Sequence, residues 1–183
     1  MDSVAAEAEG MDKLKGEAAA ARDAYARTQF LLEARQTRLL AELQSIYPLQ
    51  LLPNREWAIR GLELPREMLS KDDEHVSSAL GYTAHLVLML SKYLGVPLRY
   101  QILFYSSRSA IRDEVRDGAN ASNNTYYLFR RGVERERFES AVLMLQKNCD
   151  QLLAARGVPY APELSMLANL QNLFVHEMDP RVV

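Results

Sequence analysis

Three histidines, one cysteine and one serine–arginine run are the residues of this 183-residue chain that could carry chemistry. His75 and His85 stand ten residues apart on one predicted helix. Their side chains therefore point about 80° apart and are separated by roughly 15 Å along the axis, too far to share a metal ion. His176 stands alone near the C-terminus. All three read as structural histidines, and neither a metal nor a cofactor is expected. Cys149 falls on the apolar stripe of another predicted helix, where a thiol behaves as a small hydrophobe. Lys147 projects to a different face, so nothing there activates a nucleophile. A lone cysteine also excludes an internal disulfide and a Cys-based zinc site. The chain has no G-x-S-x-G elbow, P-loop or G-x-G-x-x-G fingerprint, and it is not expected to be an enzyme.

The most distinctive polar stretch is Ser106-Ser107-Arg108-Ser109-Ala110-Ile111-Arg112-Asp113. It leaves an apolar strand and is expected to open a short helix with Ser107 or Ser109 as its N-cap. Exposed amides there, with Arg108 and Arg112, would suit a phosphate or lipid headgroup. In the plainer reading the serines only cap, and the arginines pair with Asp113 and Glu114. Arg130, Arg131, Arg135 and Arg137 are diluted by Glu134, Glu136 and Glu139, which reads as a solvated face. Tyr126-Tyr127-Leu128-Phe129 reads as strand core in preference to a membrane-touching tip. Asn120-Ala-Ser122 and Asn123-Asn-Thr125 match the glycosylation sequon, but with no secretory signal they read as loop polarity.

Positioning these residues falls to two compositional zones. Residues 1–46 hold eight acids, six bases, eleven alanines and no proline, which is strong helix chemistry. With Met11 at an a position, the a series runs Met11, Ala18, Tyr25, Leu32, Leu39, Ile46. The d series runs Leu14, Ala21, Thr28, Arg35, Glu42, so it turns polar after Ala21. A seam this narrow does not hold a lone helix together. It predicts a coiled-coil arm over 1–46 whose partner compensates for the weak d series, with Met11, Leu14, Ala18, Ala21, Tyr25, Thr28, Leu32 and Leu39 as contacts. Leu31–Leu32 and Leu39–Leu40 would turn a second face toward the chain's own domain.

Tyr47-Pro48 stops that helix, because the residue before proline is driven out of the α region. Residues 47–183 carry 16 acids and 16 bases and read as one globular domain. Trp57–Leu64 alternates as a strand closed by Pro65. Asp72 or Asp73 caps a helix that Gly95 and Pro97 end. Leu98–Tyr105 is a second strand, Asp117–Thr125 a loop and Tyr126–Arg130 a short aromatic strand. A helix with Phe138, Val142, Leu145, Cys149 and Leu152 on one stripe ends at Gly157 and Pro159, and Pro162 opens the last one. The fold class is α+β: a long N-terminal coiled-coil helix, then small antiparallel or mixed sheets with helices packed on them. A net charge of −2 gives no global reason to bind nucleic acid. The longest apolar run, Leu86–Leu90, is far short of a membrane span, and the chain reads as soluble and cytoplasmic.

Several stretches taken together resemble one family. They are Glu42-Leu43-Gln44-Ser45-Ile46-Tyr47-Pro48, Ile59-Arg60-Gly61-Leu62-Glu63-Leu64-Pro65 and Ala79-Leu80-Gly81-Tyr82-Thr83-Ala84-His85-Leu86-Val87. Val96-Pro97-Leu98-Arg99-Tyr100, Ser107-Arg108-Ser109-Ala110-Ile111-Arg112-Asp113 and Leu145-Gln146-Lys147-Asn148 continue the series. In order and spacing they are similar to the C-terminal half of the UV radiation resistance-associated protein family, from about Ser45 to Phe174. The resemblance implies a non-catalytic regulatory subunit of a class III phosphatidylinositol 3-kinase complex, acting in endosomal sorting and autophagy. It implies a Beclin-type partner on an antiparallel coiled coil, with a lipid kinase and its pseudokinase-like scaffold as further members. Residues 47–183 would then be a β-α repeated, Beclin-like domain, peripheral to endosomal and autophagic membranes.

Overall fold

Alanine, glutamate, arginine and leucine carry α1 without a break over Asp2–Ile46, 45 residues. This is a computed structural model, and it describes residues 2–68, 73–114 and 124–179. The chain divides into two compact units, one through Arg38 and one from Leu39 onward. The first is helix alone, and nearly all of its side chains from Gly10 to Arg38 are exposed. In the second unit the last turns of α1 sink Leu40 and Leu43 into the core, and Tyr47 follows them.

Proline 48 is followed by β1 (Leu49–Leu51), β2 (Trp57–Ile59) and β3 (Leu62–Leu64), an antiparallel sheet in that order. The single strand expected over Trp57–Leu64 is therefore a hairpin. Its register pairs Ile59 with Leu62 around Arg60 and Gly61. Both turn residues have positive φ, 52° and 78°. A two-residue turn of that hand matches strand twist, which is why the chain folds back here despite continuous alternation. β1 has no counterpart among the expected strands.

The long apolar helix α2 (Asp73–Leu94) buries Val76, Ala79, Leu80, Ala84, Val87 and Leu90. Gly95, at φ 67°, ends it ahead of Pro97. Of the two expected caps, Asp72 lies outside the described residues and Asp73 is the first helical residue.

A second antiparallel sheet follows: β4 (Gln101–Leu103), β5 (Ala110–Arg112) and β6 (Thr125–Tyr127). The strand expected over Leu98–Tyr105 is shorter, and the one over Tyr126–Arg130 starts and stops earlier. The short helix expected after Ser106 is instead one 3₁₀ turn, Ser106–Arg108, that leads directly into β5. Most of the expected Asn-rich loop, with Asn120, Ser122 and Asn123, lies outside the described residues.

α3 (Arg135–Ala155) buries Phe138, Leu145, Cys149 and Leu152, and Gly157 closes it at φ 69°. α4 (Met166–Met178) opens later than Pro162, because Ser165 is the N-cap and accepts from the Ala168 amide at 3.3 Å. Asn169 also bonds both backbone groups of Ala161, holding 161–164 outside the helix. Arg156 clamps Glu177 through two bonds of 2.7 and 2.9 Å, tying the end of α3 to α4. The unit thus contains two successive three-strand-plus-helix modules closed by α4. α2 touches both sheets, α3 backs the second and α4 the first.

Candidate functional site

The seam residues of the arm stand in solvent. Met11, Leu14, Tyr25 and Leu32 are each more than half exposed, Tyr25 the most at 72%. Ala18, Ala21 and Thr28 are exposed as well, and the Thr28 hydroxyl donates back to the Ala24 carbonyl at 2.8 Å. Leu39 is half-buried, and its neighbour Leu40 is the one consumed by the core. Phe30 and Leu31 add exposed apolar surface off the seam.

The serine–arginine run is dispersed. Ser107 and Arg108 lie exposed on the 3₁₀ turn, and Arg112 sits half-buried at the far end of β5. Ser109 is fully buried: its Oγ accepts from the Tyr105 amide at 3.1 Å and donates to the Ser106 carbonyl at 2.7 Å. Its role is to staple the turn. The helix N-terminus that a phosphate would have used is absent, because the segment becomes a strand.

What draws the turn to α2 is aromatic. Phe104 stacks on His85 with centroids 4.1 Å apart, and Tyr47 Oη lies 2.5 Å from His85 Nδ1. Arg60 sits over the Tyr82 ring at 5.2 Å, and Tyr82 is 6.0 Å from Tyr47. Sequence reasoning missed this cluster, since its members lie on four separate elements and share no periodicity. Burial, and then the charge of Lys92, holds the His85 pKa below its ordinary 6.5. The fold therefore prefers neutral His85, and the unfolded chain binds the extra proton. Stability is complete above pH 6.5 and is lost as pH falls through that value toward the folded pKa. Melting temperature measured from pH 8 to 5 is expected to drop on the acid side, and His85→Gln is expected to flatten that drop.

His75 is exposed, and His176 lies 3.5 Å from the Glu177 carboxylate. Burial pushes the Cys149 thiol far above its ordinary pKa, with Asp150 adding to the shift. Among the described residues, no three His, Cys, Asp or Glu side chains converge to hold a metal. A groove of about 750 Å³ runs between the segment after β3, α3 and the α3–α4 connection. Its floor is apolar, with Leu64, Phe138, Val142 and Met166. Its charged lining includes Arg135, paired with Glu139 at 2.8 Å, and Arg66, bonded to the Glu163 carbonyl.

No protein-family profile matches the chain. Over 170 residues, 92% of its length, it is 36% identical to the UV radiation resistance-associated protein of Mus musculus, of which the match covers 24%. The chain belongs to the UV radiation resistance-associated protein family. Two other proteins are similar over shorter stretches. The vacuolar protein sorting-associated protein 38 of Schizosaccharomyces pombe is 32% identical over 136 residues, 73% of this chain and 28% of that protein. The Drosophila melanogaster UV radiation resistance-associated gene protein is 29% identical over 147 residues, 72% of this chain and 21% of that protein. The chain spans about a quarter of the length of these curated relatives. Because residues 47–183 are only three quarters of the chain, the 92% match to the mouse family member reaches into α1. The arm and the α+β unit are thus both part of the family likeness. Among the described residues no helix is long and apolar enough to cross a membrane.

Proposed function

We propose that this chain is a non-catalytic scaffold subunit of a class III phosphatidylinositol 3-kinase complex that helps place the complex on endosomal and autophagic membranes. It pairs with a Beclin-type subunit through the arm over residues 1–46. Residues 47–183 form the β-α repeated domain, and the lipid kinase and its pseudokinase-like scaffold are further members of the assembly. The observation that carries this reading is the family match reaching into a helix whose apolar seam stands open to solvent. The names of the relatives, one of them a vacuolar protein sorting-associated protein, support a place in membrane traffic.

A helix with most of its side chains in water gains little from its own tertiary packing, so a partner has to supply what stabilises it. Burying each leucine of the seam contributes about 1.5–3 kcal/mol. Changing Leu14, Tyr25 and Leu32 together to Asp is therefore expected to weaken pairing with a Beclin-type coiled-coil fragment by roughly a thousandfold or more. Co-purification and solution mass measurement read the result. An undiminished heterodimer in the triple variant would overturn the seam as the pairing surface.

A further inference from the structure

The outermost strand of the first sheet, β1, has a strand partner on one side only. Its register with β2 pairs Leu49 with Ile59, Gln50 with Ala58 and Leu51 with Trp57. The Arg60 amide donates to the Pro48 carbonyl at 3.0 Å, and the Leu52 amide donates to the Glu56 carbonyl at 2.8 Å. Bonded pairs alternate along an antiparallel ladder, so residues 48, 50 and 52 turn their backbone groups toward β2. The N–H and C=O of Leu49 and Leu51 therefore point the other way. Among the described residues no hydrogen bond reaches them.

The other sheet edges are closed from within. Asn148 bonds both backbone groups of Tyr100 just ahead of β4, the Arg137 guanidinium donates to the outward Thr125 carbonyl of β6 at 2.8 Å, and α2 packs against β3. Exposed strand edges are normally blunted by charge, a bulge or a covering element. Here Pro48 and Pro53 keep the edge short, and residues 43–54 carry no charge. Leu51 shares a side of the strand with Leu49, which packs against the core, yet it is 60% exposed. Its cross-strand neighbour Trp57 is half-buried. A short, uncharged edge with four free backbone groups and an uncovered leucine fits one kind of ligand, an extended stretch of polypeptide.

The place of the edge in the chain selects the polypeptide. Ile46, the last a position of the seam, is 52% exposed, and β1 opens three residues later at Leu49. A chain lying along the seam at Leu39 and Ile46 meets no charged residue between Glu42 and this edge. We propose that β1 is a strand-addition site for the subunit that pairs with the arm. An extended, uncharged segment of that subunit bonds the free backbone groups of Leu49 and Leu51 and sets an apolar side chain beside Leu51. The proposal rests on the pairing read above and carries that interface from α1 onto the first sheet.

Residue-resolved amide exchange of the full chain, alone and mixed with a full-length Beclin-type subunit, tests this. Alone, the Gln50 and Leu52 amides are expected to be protected by β2, while those of Leu49 and Leu51 exchange freely. In the heterodimer Leu49 and Leu51 are expected to slow by about tenfold or more. Leu51→Pro removes an N–H that the fold does not use, at an edge position where proline is tolerated. Its melting temperature is expected to stay within a few degrees of wild type, while affinity for the subunit falls about tenfold. Leu51→Ala keeps the N–H and is expected to lose about threefold at most. A heterodimer in which Leu49 and Leu51 exchange as they do in the free chain would overturn the strand addition and leave the arm pairing standing. Failure to form any heterodimer would remove both. Equal losses for Leu51→Pro and Leu51→Ala would reduce the contact to a side chain and overturn the proposal. So would protection of Leu49 and Leu51 in the chain alone with a doubled solution mass, which would give the edge to a second copy.

Discussion

Gly81→Ala is expected to destabilise the α+β unit by about 2–4 kcal/mol, although alanine is the better helix former. Gly81 lies in the middle of α2, where the missing side chain by itself costs about 1 kcal/mol relative to alanine. A Cβ at that position would collide with the Ser106 carbonyl and press on the Ser107 amide, both backbone atoms. Backbone cannot swing aside as the end of a flexible side chain can, so the whole turn has to retreat. That retreat would pull Phe104 from His85 and strain the Ser109 staple. The losses exceed the helix-propensity gain, and the melting temperature is expected to fall by roughly 5–12 °C. Amides of residues 104–109 are expected to lose hydrogen-exchange protection first, because the damage starts there. A variant as stable as the wild type would mean that the turn slides without cost.

The fate of this turn also shows which parts of the chain were legible. Helix ends at Tyr47-Pro48, Gly95 with Pro97 and Gly157 with Pro159 were readable because local backbone chemistry decides them. The α+β class followed from alternating runs and helical stripes, and the structure agrees with it. The Arg60-Gly61 hairpin was hidden because an arginine with positive φ is no turn signal, and Trp57, Ile59 and Gly61 alternate straight across it. After Ser106, Ser107 and Ser109 both read as helix caps. The deciding contact comes from Gly81, which no window around Ser106 contains. Pro162 lost to Ser165 for a similar reason, the Asn169 side chain holding Ala161 in an extended connection.

For the candidate surfaces the division is similar. The arm's heptad pattern is written in sequence spacing, so its residues could be named before any fold was known. The row of Leu103, Ala110 and Tyr127 could not, since only the antiparallel register brings those positions side by side. Read locally, Tyr126-Tyr127-Leu128-Phe129 is core, and the structure does bury Tyr126 and Leu128. Alternation then sends Tyr127 outward. Splitting one aromatic run between core and surface lets the same strand anchor the sheet and furnish its exposed end.

Asn148→Ala is expected to cost roughly 2–5 kcal/mol, because one buried side chain satisfies two backbone groups of another element. Asn148 is fully buried on α3. Its Oδ1 accepts from the Tyr100 amide at 3.1 Å and its Nδ2 donates to the Tyr100 carbonyl at 2.8 Å. The side chain thus stands in for a neighbouring strand just where β4 has run out of partners. Gln151, one turn further along the same face, repeats the device with the Arg99 amide at 2.9 Å and the Pro97 carbonyl at 2.6 Å. The difference is water. Arg99 is exposed, so solvent can replace the glutamine, and Gln151→Ala is expected to cost about 1 kcal/mol or less. Asn148→Asp is the sharper probe. A carboxylate can still accept from the amide but has no proton for the carbonyl, and its charge is buried. Its pKa in the folded chain would be raised, so the folded chain would bind the extra proton and this variant would gain stability as pH falls. The wild type, governed by His85, moves the other way over the same range. Denaturant titration of the three variants at two pH values separates these outcomes, and equal losses for Asn148→Ala and Gln151→Ala would remove the clamp. If the clamp holds, α3 fixes the start of β4 while α2 fixes the turn after it. The end of the sheet that carries Tyr105 is then braced from both sides.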